Sequence, residues 1–195
     1  MGKHDLAVLQ YDGYGKDAIK KFKLSPDSYT QLVMALAYYK MTGHVGATYE
    51  SAQTRKYKLG RTEVIRSATV EAVEWCQAME DPKKTDLERL QLLQRAGAAH
   101  IKLAGEAADG HGVDRHLFGS LIVLPTRCRR LMLFDAGLKQ LLKEGESPPE
   151  IYSDPAFSAS SHWVLSTSQL TSEFFEGWGY GEGSSSLTLT TNREF

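Results

Sequence analysis

Thr48-Tyr49-Glu50-Ser51-Ala52, continued through Thr54-Arg55 to Gly60-Arg61-Thr62-Glu63-Val64-Ile65-Arg66, mixes hydroxyls, carboxylates and guanidiniums with apolar Tyr57, Leu59, Val64 and Ile65. A purely solvated loop has no use for the apolar residues. A buried segment must give each polar group a partner, because an unpaired buried donor or charge is costly. Read from the residues alone, the stretch is a half-buried β-hairpin with a polar outer face.

Upstream, Leu6-Ala7-Val8-Leu9 followed by Tyr11-Asp12-Gly13-Tyr14-Gly15 reads as a strand entering a glycine turn. Lys16, Lys20, Lys21 and Lys23 come next, and the four-residue spacing of Lys16 and Lys20 puts both on one face of a helix. That face is either solvated or an edge where two ammonium groups meet one phosphate. Ser25-Pro26-Asp27 predicts a helix start: a hydroxyl cap, a proline in the first turn and an acid facing the positive end of the dipole. Tyr29, Leu32, Val33 and Leu36 carry the expected core face, with Tyr38 and Tyr39 behind them, as far as a stop at Gly43.

Downstream, Ala68 to Met79 predicts a helix with Val70, Val73 and Met79 inward, closed by Asp81-Pro82. Thr85-Asp86-Leu87-Glu88 has the form of a capping box. It opens a long helix whose expected core face is Leu87, Leu90, Ala98, Ile101 and Leu103. His100 on that helix reads as a packed or surface histidine, because no second ligand stands four residues away. Asp114-Arg115-His116 before Leu117 and Phe118 reads as the charged start of another helix. Leu138 to Leu142 reads as helix and Ser147-Pro148-Pro149 as a turn. Trp163-Val164-Leu165 reads as a strand running into Ser166-Thr167-Ser168-Gln169, whose hydroxyls form a turn or serve as donors toward an oxyanion.

Composition bounds the rest. The 195 residues suffice for one domain with a real core, and 42% hydrophobic with 24% charged residues is ordinary globular composition. A net charge of −1 argues against a general nucleic-acid binder. Cys76 and Cys128 lack metal or C-x-x-C spacing and read as reduced thiols. No apolar run approaches the ~20 residues of a membrane span. With no leader visible at the start either, the chain is expected to be soluble; neither that start nor a peroxisomal signal at the end names an organelle.

Five segments, in order, resemble the C-terminal half of the choline/carnitine acyltransferase family. They are Tyr14-Gly15-Lys16 with Leu24-Ser25-Pro26-Asp27, then Thr48 to Ser51, Gly60 to Arg66, Asp114 to Leu117, and Leu165 to Gln169. The resemblance implies an α/β fold: one lobe of a two-lobed, coenzyme A-dependent acyltransferase, with a mixed sheet flanked by helices. It implies reversible acyl transfer between coenzyme A, a co-substrate, and the carnitine hydroxyl, with no metal. Among family members, those that use acetyl-CoA are the nearest in pattern.

Residue by residue, the resemblance gives Lys16 and Lys20 to the 3′-phosphate of coenzyme A and Asp27 to its adenine. Tyr49, Thr62 and Arg115 fall to the carnitine carboxylate, Ser168 with Ser166 to the oxyanion, and Trp178 to a closed, short acyl pocket. Arg115 argues against choline, which has no carboxylate. The family's general base, a histidine in a His-x-x-x-Asp pattern, matches none of His4, His44, His100, His111, His116 and His162. The base is therefore expected from a missing N-terminal lobe, and this chain alone is expected to be inactive. Residues 1–119 and 138–181 follow the family pattern, 120–137 read as an insert within a helix, and 182–195 as a divergent, disordered tail. Mitochondria or peroxisomes are the compartments the family implies. A non-catalytic coenzyme A-binding module, or a structural domain, are the other readings.

Overall fold

The computed structural model describes residues 13–123 and 150–167 together with Leu9 and Tyr11, with backbone alone for 121–123. Of the expected strand at Leu6 to Leu9 only Leu9 is described, and it belongs to no strand; the helix at Leu138 to Leu142, the turn at Ser147 to Pro149 and the tail lie outside these residues. In chain order the elements are α1 (Lys16–Lys21), α2 (Pro26–Thr42), β1 (Thr48–Gln53), β2 (Thr62–Arg66), α3 (Val70–Glu80), α4 (Asp86–Ala108), α5 (Asp114–Val123), a 3-10 turn (Glu150–Tyr152), α6 (Pro155–Ser160) and β3 (Leu165–Thr167). The fold is mixed α/β, a small sheet flanked by helices.

The sheet runs β2-β1-β3. The opening stretch is indeed a hairpin, with β1 and β2 antiparallel and Tyr49 opposite Arg66. β3 then joins β1 in parallel, setting Ser166 beside Tyr49 and Thr167 beside Glu50. Ser166 and Thr167 are strand residues and buried, which replaces the turn reading for those two positions.

The helix ends follow the sequence closely. Ser25 caps α2 by accepting from the Ser28 amide, and Gly43 terminates it at a positive φ of 78°, a conformation glycine adopts without strain. Thr85 and Glu88 form the complete capping box of α4. α5 runs on to Val123, four residues into the segment read as an insert.

The helix faces were predicted less well. The core of α2, α3 and α4 is built on Leu32, Ala35, Ala72, Trp75, Cys76 and Ala96. Val70 is 70% exposed, so the inward face of α3 is rotated from the expected one; Val73 and Met79 are half-buried. On α4, Leu87, Leu90, Ala98 and Ile101 are exposed, and Leu103 is half-buried. Ala96, Gly97, His100 and Ala107 take the buried positions instead. Val33 of α2 likewise stays 37% exposed. The reason is close approach: α3 packs along α4, and small side chains at the contact let the helices come near enough to bury Trp75 between them. Cys76 is buried as a free thiol, which raises its pKa to about 11.

Candidate substrate-binding site

Alternation along β1 sends neighbouring side chains to opposite faces of the sheet. Tyr49 faces one way and Glu50 the other, and each anchors a separate polar cluster.

On the Tyr49 face, Arg115 at the start of α5 reaches back across the sheet. Its Nη2 donates to the Tyr49 phenol oxygen at 3.0 Å and to Thr62 Oγ1 at 3.2 Å, while its Nε donates to the Thr62 carbonyl at 3.3 Å. Three residues separated by up to 66 positions thus meet at one point on the exposed side of the hairpin. Phenol, alcohol and guanidinium together offer directed donors to a carboxylate, with the permanent positive charge supplied by Arg115.

The neighbours of Arg115 hold it there. Asp114 turns inward and takes a forked contact from Arg66, Nε to Oδ2 at 2.9 Å and Nη2 to Oδ1 at 2.6 Å. The third Arg66 donor, Nη1, goes to the Ser160 carbonyl at the end of α6, and the guanidinium lies 4.8 Å from the centre of the Trp163 ring. Trp163 in turn meets Tyr49 edge-to-face. Buried Glu63 accepts from the Arg115 amide at 3.3 Å, placing a carboxylate at the positive end of α5. Gly112 makes this possible, since a Cβ there would stand 2.3 Å from Glu63 Cγ.

On the Glu50 face the cluster is buried. His100, 2% exposed, stands between two partners: Nε2 is 2.7 Å from Glu50 Oε2 and Nδ1 is 2.8 Å from Ser28 Oγ. The Asp27 carboxylate is close enough that its oxygen and the ligand-type atoms of Glu50 and His100 all lie within 4.8 Å of one another. Both ring nitrogens are engaged with protein, so the group is a hydrogen-bond network with no free ring lone pair for a cation. Burial raises the pKa of Glu50 and of Asp27. For His100 burial pulls the other way, but the hydrogen bond and charge of Glu50, with the charge of Asp27, outweigh it and the net shift is upward. Thr167 ties in from β3, its hydroxyl lying 3.0 Å from Gln31 Oε1 and 3.1 Å from the Tyr49 carbonyl, with one proton shared between the two acceptors.

Of the sequence-predicted residues, Tyr49, Thr62 and Arg115 come together, and buried Ser166 is paired beside Tyr49. Lys16 and Lys20 are both exposed on α1, which packs on α2 through buried Ile19. Asp27 is turned toward Glu50 and His100 in the partly buried network. Ser168 and Trp178 lie outside the described residues. His100 is the packed histidine of the sequence reading, but its partners were not foreseen. The available signal was its phase, three or four residues from Ala96, Gly97, Leu103 and Ala104 on one helical face. Arg66 and Asp114 were also missed as a pair, because nothing local links residues 48 positions apart.

Comparison with known proteins gives consistent matches. A family model described as choline/carnitine O-acyltransferase matches residues 1–186. The mitochondrial carnitine O-acetyltransferase of Saccharomyces cerevisiae is 38% identical over 183 residues, covering 93% of this chain and 25% of the yeast protein. The carnitine O-acetyltransferase of Columba livia is 39% identical over 166 residues, 85% of this chain and 24% of its own length. The peroxisomal carnitine O-octanoyltransferase of Rattus norvegicus is 41% identical over 166 residues, with 84% and 24% covered. The chain therefore spans about a quarter of the length of these relatives. Among the described residues no helix is long and apolar enough to cross a membrane.

Proposed function

The chain belongs to the choline/carnitine acyltransferase family, and from that premise we propose that it binds carnitine and acyl-coenzyme A for acyl transfer between them. The observation that carries the reading is the convergence of Arg115 with the Tyr49 phenol and the Thr62 hydroxyl. In this proposal the carnitine carboxylate docks on those three groups, exchanging contacts among neighbours for a charge-assisted set directed at the ligand. Lys16 and Lys20 take the 3′-phosphate of coenzyme A, with Asp27 near the adenine. Ser168 supports the oxyanion of the tetrahedral intermediate, assisted by Ser166, and one such donor is usually worth roughly 100- to 1000-fold in turnover.

Trp178 closes the acyl pocket, which favours acetyl over longer groups; the relatives include both acetyl- and octanoyltransferases, so this preference rests on Trp178 alone. Transfer also needs a base of near-neutral pKa. No histidine among the 195 residues is followed by aspartate in the His-x-x-x-Asp pattern. We assign the base to a lobe outside these residues, so that this chain alone binds without turning over. The compartment follows the relatives, mitochondrial or peroxisomal.

Calorimetry tests the reading. Carnitine should bind, choline should bind much more weakly, and Arg115→Ala should remove the difference between them. Equal affinity for carnitine and choline in the folded wild-type chain would refute the carboxylate role. Lys16→Ala with Lys20→Ala should weaken coenzyme A and leave carnitine untouched.

A further inference from the structure

Apart from Asp27, which the proposal above also sets near the adenine, the network behind β1 has no part in that chemistry, yet it is an expensive arrangement. A carboxyl and an imidazole are buried, with a second carboxyl half-buried beside them, where apolar side chains of similar volume would often be at least as stable. Its members come from three elements: Asp27 and Ser28 from α2, Glu50 from β1 and His100 from α4. All converge on the segment Tyr49-Glu50. The Glu50 side chain is fixed by His100, and the Tyr49 carbonyl is fixed by Thr167, itself bonded to Gln31 one turn along α2 from Asp27. The backbone that carries the Tyr49 phenol is thereby gripped from behind, while the phenol meets Arg115 in front.

We infer that His100 is a positioning residue for the anion clamp: by bridging Ser28 and Glu50 it sets where the Tyr49 phenol stands relative to Arg115. The inference rests on the proposed function only where carnitine is concerned; the coupling between His100 and Tyr49 is a property of the chain itself. When His100 carries two protons, both nitrogens donate, one to Glu50 and one to Ser28. When it loses one, Nε2–H stays on Glu50 and the Ser28 hydroxyl turns to donate to Nδ1, so the bridge persists with one bond reversed and the imidazolium charge gone from behind Tyr49. The groups facing the ring are Ser28 and Asp27 from α2 and Glu50 from β1; among the described residues no lysine or arginine bonds to any of them.

The experiment uses the full chain with 13C-labelled tyrosine, the Tyr49 ring resonance being identified by Tyr49→Phe. Without ligand, the Tyr49 resonance should step with pH at the midpoint of the His100 imidazole, and His100→Gln should abolish the step. Ser28→Ala, a milder change that removes only the Nδ1 partner, should move the His100 midpoint and the Tyr49 step together. A flat Tyr49 resonance in the wild type, or a step unmoved in Ser28→Ala, overturns the inference whether or not His100→Gln folds. In the liganded arm, carnitine affinity should weaken about tenfold in His100→Gln, the scale of one weakened hydrogen bond to a charged group. A wild-type chain that shows the coupled step but binds no carnitine would refute the proposed function and leave the positioning role standing.

Discussion

The two faces of β1 carry polar clusters of similar size and opposite circumstance. In front, Arg115, Thr62 and Tyr49 meet where water reaches them, and Arg115 and Thr62 are exposed. Behind, Glu50, His100 and Ser28 meet out of reach of solvent. Exposed ion pairs and hydrogen bonds contribute little to stability because water competes for each group. Such groups are free to exchange partners for a ligand. Buried ones are not, since breaking one bond strands its partner. In the proposed reading one strand presents a replaceable clamp on one side and a fixed brace on the other.

The sharpest way to break this contrast is to truncate one member of each face. Glu50→Ala leaves His100 without its carboxylate in the interior and should cost about 3–5 kcal/mol of unfolding free energy. Arg115→Ala should cost at most about 1 kcal/mol, while carnitine affinity falls steeply. Urea denaturation of both variants measures the first pair of numbers and calorimetry the second. Comparable losses of stability in the two variants would mean that the front cluster is structural, and the clamp reading would fall with it.

Asp114 sharpens the comparison from between the two extremes. It is partly buried, and its forked contact with Arg66 fixes the start of α5 that aims Arg115. Asp114→Ala should cost about 2 kcal/mol, the scale of hydrogen bonds to a charged group. It should also weaken carnitine binding, although Asp114 touches nothing a ligand would touch. Loss of stability without loss of affinity would show that Arg115 is aimed by Glu63 alone.

The brace should also be visible in the pH dependence of stability. The folded pKa of His100 is raised, so its contribution is complete below the unfolded value near 6.5 and is lost as pH climbs through the raised folded value. Glu50 and Asp27 are raised too, so the contribution of each is complete below ordinary carboxylate pKa values and is lost as pH rises through its own shifted value. The three effects have one sign: this cluster weakens the fold toward alkaline pH. One proton changes stability by at most about 1.4 kcal/mol per pH unit. Chemical denaturation at a series of pH values above 6.5 should show the decline in the wild type and a flatter profile in His100→Gln.

How much of this was legible in the sequence depended on whether the signal was local. The hairpin, the Ser25 cap, the stop at Gly43 and the Thr85–Glu88 box rest on contacts within a few residues, and all appear as read. The clamp residues were reached through family resemblance and not through periodicity. The brace was invisible because Ser28 and His100 are 72 positions apart and Glu50 and His100 are 50 apart, distances that only the packing of α2, β1 and α4 brings together. The faces of α3 and α4 were misread for a different reason. Periodicity puts the large aliphatic residues in the core, but the core cluster of α3 and α4 contains Ala72 and Ala96, and the larger Leu87, Leu90 and Ile101 are turned outward.

That misreading supplies the smallest of the expected effects and a direct check on the helix rotation. Ile101 is the residue after His100, yet it is 53% exposed where His100 is 2% exposed. If the helix is oriented as described, Ile101→Gln changes only solvated surface and should shift stability by no more than about 0.5 kcal/mol. It should also leave the Tyr49 resonance and its pH step untouched. Had the aliphatic residues formed the core face, the same substitution would bury an unpaired amide and cost several times more. A large loss in Ile101→Gln would therefore rotate α4, withdraw His100 from Glu50 and remove the brace on which the contrast between the two faces of β1 depends.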